Sequence, residues 1–325
     1  MKPEIKAELI AVGAVDVDKS LLGRITVPTA GPGAGNTAFF FSSCGHRVRL
    51  AVNEGSPLRA VMEGNDLVIL KGGTEFARGK LEEELVHCPG QAYITLSEKC
   101  IFDCKFCPVP KLDGRVKSLG EVLELIENAN ATGKMTAISI TSGIAETVEK
   151  EVVRAIEVVR AVKKYNVPIG VSVYPTPDSS RRLKEAGAIE IKYNVETMDR
   201  EVYDRVCAGQ NLDFILESLR DAVGVFGRNR VFSNIIIGLG ESDENVEEAI
   251  EELASMGVIP ILRAGSMHPL RAGEVYIERP TLERILKLTH VLRRILDEHG
   301  LRADVSQTMC LPCTGCDMNP HTDLV

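Results

Sequence analysis

The chain has 325 residues, enough for a barrel-sized domain with one appendage. Its net charge of −8 argues against a general nucleic-acid binder, which would present a basic surface. No apolar run reaches the ~20 residues of a membrane span and the first residues do not form a secretory signal, so we expect a cytoplasmic protein without a membrane partner. Its nine cysteines should then be reduced, which favours metal or redox chemistry over disulfides.

Residues 1–88 are predicted to form a separate β-rich module. The Gly-rich turn at 31–36 is not a phosphate loop, because no Gly-Lys-Ser/Thr sequence follows it. Turn residues then separate four β-like segments, which predicts a small antiparallel sheet with strands at 38–42, 48–52, 58–62 and 67–70. A buried strand explains the run Phe39-Phe40-Phe41, with docking of a carrier protein as the alternative. Cys44 and His46 lie between two strands, where an incidental role is commoner than metal ligation.

Residues 89–305 alternate apolar β-segments with amphipathic helices. The strands are predicted at 92–96, 136–141, 167–173, 189–193, 231–237 and 258–262. Helical spacing of apolar residues lies between and after them, around 119–129, 148–162, 177–186, 199–226, 246–253 and 282–295. Six such β/α units predict an α/β fold with parallel strands, a partial (β/α)6 barrel of the TIM type. Chemistry in such barrels lies at the carboxyl ends of the strands.

Three cysteines directly follow the first of these strands, at the spacing Cys100-x3-Cys104-x2-Cys107. Thiolates are the usual ligands of iron–sulfur clusters, which normally take four of them. Three thiols on one loop would therefore hold three irons of a four-iron cluster and leave the fourth iron open. A structural zinc site needs four ligands, and the nearest histidine, His87, lies upstream of the strand. An accidental match of the spacing is the other alternative.

With Phe106 as the aromatic residue before the last cysteine, this loop resembles that of the radical S-adenosylmethionine (SAM) superfamily. The resemblance implies a [4Fe-4S] cluster on Cys100, Cys104 and Cys107 whose open iron binds the amino and carboxylate groups of SAM. It further implies that one electron from an external donor cleaves SAM to a 5′-deoxyadenosyl radical, which abstracts hydrogen from a substrate. Residues 89–305 would form the radical SAM barrel.

Two further strand ends resemble the SAM-binding segments of the biotin-synthase-like branch. Ser142-Gly143 stands where the superfamily often has a Gly-Gly-Glu-like turn, although only one glycine is present here. Asn194-Val195-Glu196-Thr197 matches an Asn-x-acid-Thr run that contacts the ribose and methionyl parts of SAM. A carboxylate can accept hydrogen bonds from both ribose hydroxyls, which suits Glu196. A helix cap is the alternative for that residue.

After the fifth strand, Gly238-Leu239-Gly240-Glu241 matches the Gly-x-Gly-Glu turn of the same branch, where a small residue lets the backbone approach the adenine. Ordinary turn glycines are the alternative. Arg263 follows the sixth strand and is a candidate to face the substrate, with a surface or ion-pairing role equally open. The partner of the SAM carboxylate is not assigned.

A second cysteine cluster, Cys310-x2-Cys313-x2-Cys316, lies in the predicted C-terminal tail, residues 306–325. It resembles the ferredoxin run, except that Pro320 stands where the fourth cysteine would be. These three thiols are predicted ligands of an auxiliary [4Fe-4S] cluster. A zinc site or a tether without chemical use is the alternative. The fourth ligand would come from Cys44, Cys88, Cys207, another side chain or a substrate.

The auxiliary cluster suggests sulfur insertion at an unactivated carbon, because a cluster sulfide can accept a carbon radical. The barrel and the tail cysteines resemble the archaeal-type two-protein lipoyl synthases. That resemblance implies an octanoylated or lipoyl carrier protein and a second radical SAM subunit as partners. Radical C–C bond formation or rearrangement in cofactor or amino-acid biosynthesis is the alternative. A non-catalytic electron-relay protein is a third reading, which an intact SAM-binding loop argues against.

Overall fold

The computed structural model describes residues 1–18, 21 and 35–325, so most of the Gly-rich turn at 31–36 lies outside it. Helix α1 (Pro3–Val12) precedes six strands: β1 (Ala14–Val17), β2 (Ala38–Ser43), β3 (His46–Val52), β4 (Leu58–Glu63), β5 (Asp66–Lys71) and β6 (Thr74–Glu82). They form a closed barrel in the order β1-β3-β2-β6-β5-β4. The predicted strands are present and their hairpins are antiparallel. The barrel closes through β1, which pairs in parallel with β3 and β4. The sequence did not predict this closure, because a four-residue strand that pairs with distant strands leaves no local sequence pattern.

The three phenylalanines of β2 are buried, which confirms the buried-strand interpretation of that run. Alternation along the strand sends Phe39 and Phe41 into the core of the N-terminal barrel. Phe40 points the other way and joins the core of the main sheet. A Cβ at Gly315 would lie 2.3 Å from the Phe40 ring, so the cysteine-bearing tail packs directly on this face of β2.

The rest of the chain is built on six parallel strands that follow one another in chain order. These are β7 (Gln91–Thr95), β8 (Ala137–Thr141), β9 (Ile169–Ser172), β10 (Glu190–Lys192), β11 (Val231–Ile237) and β12 (Ile259–Ala264). The helices are α2 (Leu119–Ala131), α3 (Val148–Val162), α4 (Ser179–Ala186), α5 (Arg200–Val206), α6 (Leu212–Phe226), α7 (Asp243–Met256), α8 (Leu282–Glu298) and the short α9 (Cys310–Cys313). The alternation predicted for 89–305 is therefore observed, with strand ends shifted by one or two residues.

Local sequence signals explain where several helices begin. Ser118 caps α2 and exchanges hydrogen bonds with Glu121, and Ser242 does the same for α7 with Asn245. The apolar stripe of each helix then packs on the sheet, where every residue of β7 and β9 is buried. Within the ranges given above, no helix combines the length and apolarity needed to cross a bilayer.

Candidate functional site

The three-cysteine loop leaves the carboxyl end of β7, with Cys104 buried and Cys100 and Cys107 partly buried. The thiols interact electrostatically with one another. Burial raises the pKa of Cys107 to about 12 and raises that of Cys104 further. A thiol in such surroundings stays protonated and inert unless a positive centre compensates for burial of its charge. The loop therefore suits metal ligation better than free nucleophilic catalysis.

Arg271, in the loop between β12 and α8, holds the cysteine loop in place. Its side chain is completely buried, and Nε donates a hydrogen bond to the carbonyl of Cys107 at 2.8 Å. Nη1 forms ion pairs with Asp103 and Glu274, both at 2.7 Å. One guanidinium thus fixes both the backbone and a side chain of the loop. The sequence alone does not reveal Arg271, because its spacing from the cysteines forms no motif.

The connection between α5 and α6 covers the same loop. Gln210 Nε2 donates to Cys104 Sγ at 2.9 Å, and the backbone nitrogen of Lys105 donates to the carbonyl of Val206 at 2.8 Å. Phe106 is buried beneath the loop. Hydrogen bonds from amide N–H groups to cysteine sulfurs help to set the reduction potential of an iron–sulfur cluster. Gln210 is therefore a second residue that the sequence did not reveal.

The turn after β8 packs against the start of the cysteine loop. Gly143 donates its N–H to the carbonyl of Ser97 at 2.9 Å, and a Cβ at Gly143 would lie 2.2 Å from the carbonyl oxygen of Lys99. A glycine is thus required by close approach of the two backbones. The hydroxyl of Ser142 donates to the buried carboxylate of Glu151 at 2.9 Å, which makes its side chain structural. A SAM contact from this turn remains a prediction for its backbone.

Glu196 lies in the segment after β10, where its backbone forms an isolated parallel bridge with Ile235 of β11. Its backbone has a φ of 61° and is fixed by hydrogen bonds with Asn234 (2.9 Å) and Ile236 (2.7 Å). Burial raises the pKa of Glu196 to about 7; Lys192, a hydrogen bond from Asn194 and Arg263 oppose that rise. The carboxyl also interacts electrostatically with Cys104 and Cys107. Glu196 therefore lies within electrostatic range of the cysteine loop, and its contact with the ribose of SAM stays a prediction.

The Gly238–Glu241 turn after β11 is tightly organised by its own residues. Gly238 has a φ of 112°, and a Cβ there would lie 2.0 Å from the carbonyl oxygen of Glu278. The carboxylate of Glu241 accepts the N–H groups of Gly238 (2.7 Å) and Leu239 (2.8 Å) and pairs with Arg284 at 3.0 Å. Gly240 also has a positive φ, of 113°. Glu241 thus shapes the turn, and any cofactor contact would come from the backbone that it holds.

The C-terminal tail enters the sheet from the opposite side, at the amino ends of the strands. Thr308 donates its N–H and its hydroxyl to the buried carboxylate of Glu190 at 2.9 and 2.6 Å. The N–H of Met309 lies 2.8 Å from Gln91 Oε1 and 2.9 Å from Ser139 Oγ. A Cβ at Gly170 would lie 2.0 Å from Thr308 Oγ1, so the tail also requires glycine on β9. The tail is therefore an integral part of the interior of the sheet.

Four thiols come together where the tail meets β7: Cys88, Cys310, Cys313 and Cys316. A hydrogen bond to Cys313 and burial raise the pKa of the Cys88 thiol, which also interacts electrostatically with Cys310. Cys316 in turn interacts with Cys313. Of the other candidates for a fourth ligand, Cys44 is exposed in the β2–β3 turn, and Cys207 interacts with Cys104 of the first loop. Cys88 is therefore the cysteine that accompanies the tail set.

Cationic side chains surround these four thiols. Arg263 Nη2 lies 2.7 Å from Cys310 Sγ, and Lys192 Nζ lies 3.4 Å from the same sulfur. Arg49 Nε and Nη2, Arg263 Nε and both carboxylate oxygens of Asp317 are buried without a hydrogen-bond partner in the described chain. Arg49 and Arg263 both interact with Cys316. Buried, unpaired guanidinium donors are costly, and cluster sulfides and thiolates are acceptors that would satisfy them.

Both cysteine sets fit an iron–sulfur group by the chemistry of their donors. Three thiols with no fourth cysteine in the loop fit a cluster with an open iron. Three buried thiols and the half-buried Cys316, with cations around them, fit a second, anionic cluster. Among the described residues, no three His, Cys, Asp or Glu side chains converge closely enough to share one metal ion. In a four-iron cluster each thiolate binds a different iron.

A parallel α/β sheet with a three-thiol loop at the carboxyl end of its first strand, β7, defines this protein as an α/β protein with a candidate iron–sulfur loop. Residues 94–253 match the family profile of the radical SAM superfamily, so this part of the chain is a radical SAM domain. The family implies a [4Fe-4S] cluster and SAM as cofactors.

Known proteins with related sequences carry out varied chemistry. The chain is 23% identical over 169 residues to a probable GTP 3′,8-cyclase of Pyrococcus abyssi, covering 51% of this chain and 53% of that protein. It is 24% identical over 243 residues to the ribosomal protein uS12 methylthiotransferase RimO of Campylobacter jejuni, covering 69% and 54%. The chain thus spans about half the length of the curated relatives it matches.

Among solved structures, methylornithine synthase (PylB) superposes with a TM-score of 0.53 at 19% identity. The match covers 62% of this chain and 61% of that one. At this identity the similarity concerns the fold alone.

Proposed function

We propose that this protein is a radical SAM enzyme that inserts sulfur at an unactivated carbon, with Cys100, Cys104 and Cys107 holding the SAM-binding cluster. Cys88, Cys310, Cys313 and Cys316 would hold an auxiliary cluster. The observation that carries the proposal is the second thiol set: four cysteines interact with one another, beside Arg49 and Arg263 nitrogens that have no acceptor in the described part of the chain. The similarity to a protein named a methylthiotransferase, which handles sulfur, supports the same chemistry.

When bound, the first cluster and SAM would supply a 5′-deoxyadenosyl radical, and the second would supply sulfide. The protein residues orient and balance these groups. Gln210 donates a hydrogen bond to Cys104, and Arg271 fixes the loop through the carbonyl of Cys107. Glu196 would accept the ribose hydroxyls, a role supported by its electrostatic interaction with Cys104 and Cys107. The cationic groups of Lys192 and Arg263 contact Cys310 Sγ and would offset the negative charge of the second cluster.

The sequence resemblance adds a finer hypothesis, namely lipoyl synthase-like insertion into an octanoyl chain on a carrier protein, with a second radical SAM subunit. The octanoyl substrate, the carrier protein and the second subunit are therefore proposed as the substrate and the partners. A second candidate, radical C–C bond formation or rearrangement of a small molecule, is favoured by the similarity to a protein named a probable GTP 3′,8-cyclase. The fate of the auxiliary sulfide separates the two, because only insertion consumes it.

The test is anaerobic reconstitution of the full chain followed by single-turnover assays. The wild type should bind about eight irons, and alanine at Cys310, Cys313 and Cys316 should leave about four. Cleavage of SAM to 5′-deoxyadenosine should survive in that variant and disappear when Cys100, Cys104 and Cys107 are replaced. About four irons in the wild type, or auxiliary sulfide that stays constant during turnover, would reject sulfur insertion.

A further inference from the structure

Cys310 has different surroundings from the other three thiols that meet at the tail. Its sulfur is in contact with two cations, Arg263 Nη2 at 2.7 Å and Lys192 Nζ at 3.4 Å. The hydroxyl of Tyr93 interacts with the same thiol. These three side chains come from β12, β10 and β7. Cys310 is therefore held by the parallel sheet.

The other thiols are grouped with one another and with the N-terminal barrel. Cys88 and Cys313 share a hydrogen bond, and Cys316 interacts electrostatically with Cys313. Arg47, on β3 of the N-terminal barrel, donates from Nη1 to the carbonyl of Cys313 at 3.3 Å. The short helix α9 thus has its first cysteine, Cys310, against the sheet and its last cysteine against β3.

The backbone before Cys310 fixes this arrangement. Met309 has a φ of 61°, which is uncommon for a residue other than glycine. Gln91 holds that conformation with both ends of its amide, because Oε1 accepts the N–H of Met309 at 2.8 Å and Nε2 donates to its carbonyl at 2.9 Å. The contacts between Cys310 and the sheet are therefore part of the fold of the chain.

Donors that contact a cysteine sulfur compete with iron for the same lone pairs. Hydrogen bonds to the sulfurs change the properties of an iron–sulfur cluster, and those from charged donors are about twice as strong as those from neutral ones. Neighbouring cations also stabilise a thiolate that is not bound to a metal. With two cations on its sulfur, Cys310 is the thiol of this group that releases iron most easily.

We propose that Cys310 is the exchangeable ligand of the auxiliary cluster, and that the other three thiols are its permanent ligands. Release of Cys310 would leave one iron without a protein ligand, so that this iron can dissociate. A cluster that gives one of its sulfides to a substrate needs such a step. The inference rests on the auxiliary cluster of the proposed function and deepens it by naming the ligand that leaves.

The first test uses the full chain with alanine at Cys100, Cys104 and Cys107, so that iron reports on the tail site alone. After anaerobic reconstitution, Cys310→Ala in this background should still bind about four irons, because a buffer thiol can take its place. Cys313→Ala should bind well below four. The two thiols are a matched pair, since both lie on α9 and they are 7% and 8% exposed. Equal iron contents in the two variants would overturn the assignment.

The second test measures the effect of a cation on the loss of iron in the same background. Ferricyanide takes one electron from the four-iron cluster, one ferrous ion leaves, and electron paramagnetic resonance records the three-iron cluster that remains. Lys192→Met should slow this loss severalfold, because it removes one donor that competes with iron for Cys310.

Lys6→Met is the matched control, because Lys6 is also a buried lysine that contacts the tail, but it pairs with Asp323. It should not slow the loss of iron. A general loss of stability would speed the loss, so slower release in Lys192→Met reports on the sulfur contact. Release from Lys192→Met that is as fast as from the background protein would also overturn the assignment.

Failure of the proposed function gives a different result. If the background protein binds no iron, there is no auxiliary cluster, and sulfur insertion and this inference are both wrong. If it binds about four irons but the paired variants behave alike, only the assignment of Cys310 is wrong.

Discussion

Replacing Arg271 with methionine should loosen the three-cysteine loop and leave the tail intact. Methionine keeps part of the aliphatic volume of this completely buried side chain but removes every donor. The variant loses the 2.8 Å hydrogen bond to the carbonyl of Cys107 and the 2.7 Å ion pairs with Asp103 and Glu274. No residue of the tail takes part in these contacts.

The expected loss follows from the exposure of each partner. A buried carbonyl left without a donor costs about 1–3 kcal/mol. The carboxylates of Asp103 and Glu274 are 44% and 28% exposed, so water can replace the guanidinium and each pair is worth about 0–1 kcal/mol. The free energy of unfolding should therefore fall by about 1–5 kcal/mol.

Urea unfolding of the apo-protein measures this loss. Iron binding should be followed in the background that lacks Cys310, Cys313 and Cys316, where iron reports on the loop alone. We expect Arg271→Met to bind well below four irons in that background, with Arg271→Lys intermediate, since lysine keeps the charge but not the three contacts. An unchanged urea midpoint together with full iron content would refute the role assigned to Arg271.

Four further predictions concern Glu196, the turn after β11 and the tail. Because the pKa of Glu196 is raised to about 7, its carboxylate forms as pH rises from 6 to 8, so the wild type should bind SAM more tightly across that range. Titration calorimetry should find that the affinity of Glu196→Gln for SAM does not change with pH. The same change of affinity with pH in the variant and the wild type would contradict the ribose role. The same raised pKa lowers folded-state stability as pH rises from about 4.5 to 7, so Glu196→Gln should unfold at a higher temperature than the wild type at pH 8. Gly238→Ala should lower the thermal midpoint, because its φ is 112° and a Cβ would meet the carbonyl of Glu278 at 2.0 Å; Gly224→Ala in α6, where a Cβ meets nothing within 4 Å, is the control, and equal midpoints would contradict the backbone argument. Lys6→Met should lower the free energy of unfolding by about 1–3 kcal/mol, because it removes the ammonium 2.7 Å from the buried carboxylate of Asp323, which keeps His46 at 2.8 Å and the N–H of Asn319 at 2.7 Å. Urea unfolding measures the loss. If Lys6→Met alone loses no more than the double variant Lys6→Met with Asp323→Asn, the pair does not anchor the tail.

The sequence predicted the parts of the fold and site that depend on local patterns. Short stretches of sequence are enough to recognise the β/α units, the thiol spacing from Cys100 to Cys107, and the glycines Gly143 and Gly238 at close backbone approaches. The α/β class and the radical SAM domain are accordingly confirmed. The specific roles of the individual site residues remain predictions, now with positions in the structure.

Long-range contacts could not be predicted in the same way. Arg271 meets Cys107 across 164 residues of chain, and Met309 meets Gln91 across 218. Neither separation forms a motif. Closure of the N-terminal barrel through β1, and the approach of Cys88 to Cys313, likewise depend on tertiary packing that no local periodicity encodes.

Electron–nuclear double resonance on the reduced cluster of the loop tests the central claim most directly. The protein would carry alanine at Cys310, Cys313 and Cys316, with SAM labelled by ¹⁵N in its amino group and ¹⁷O in its carboxylate. We predict hyperfine coupling from both labels, because one iron lacks a protein thiolate. A loop that binds zinc, or a cluster that shows no coupling to either label, would contradict the claim.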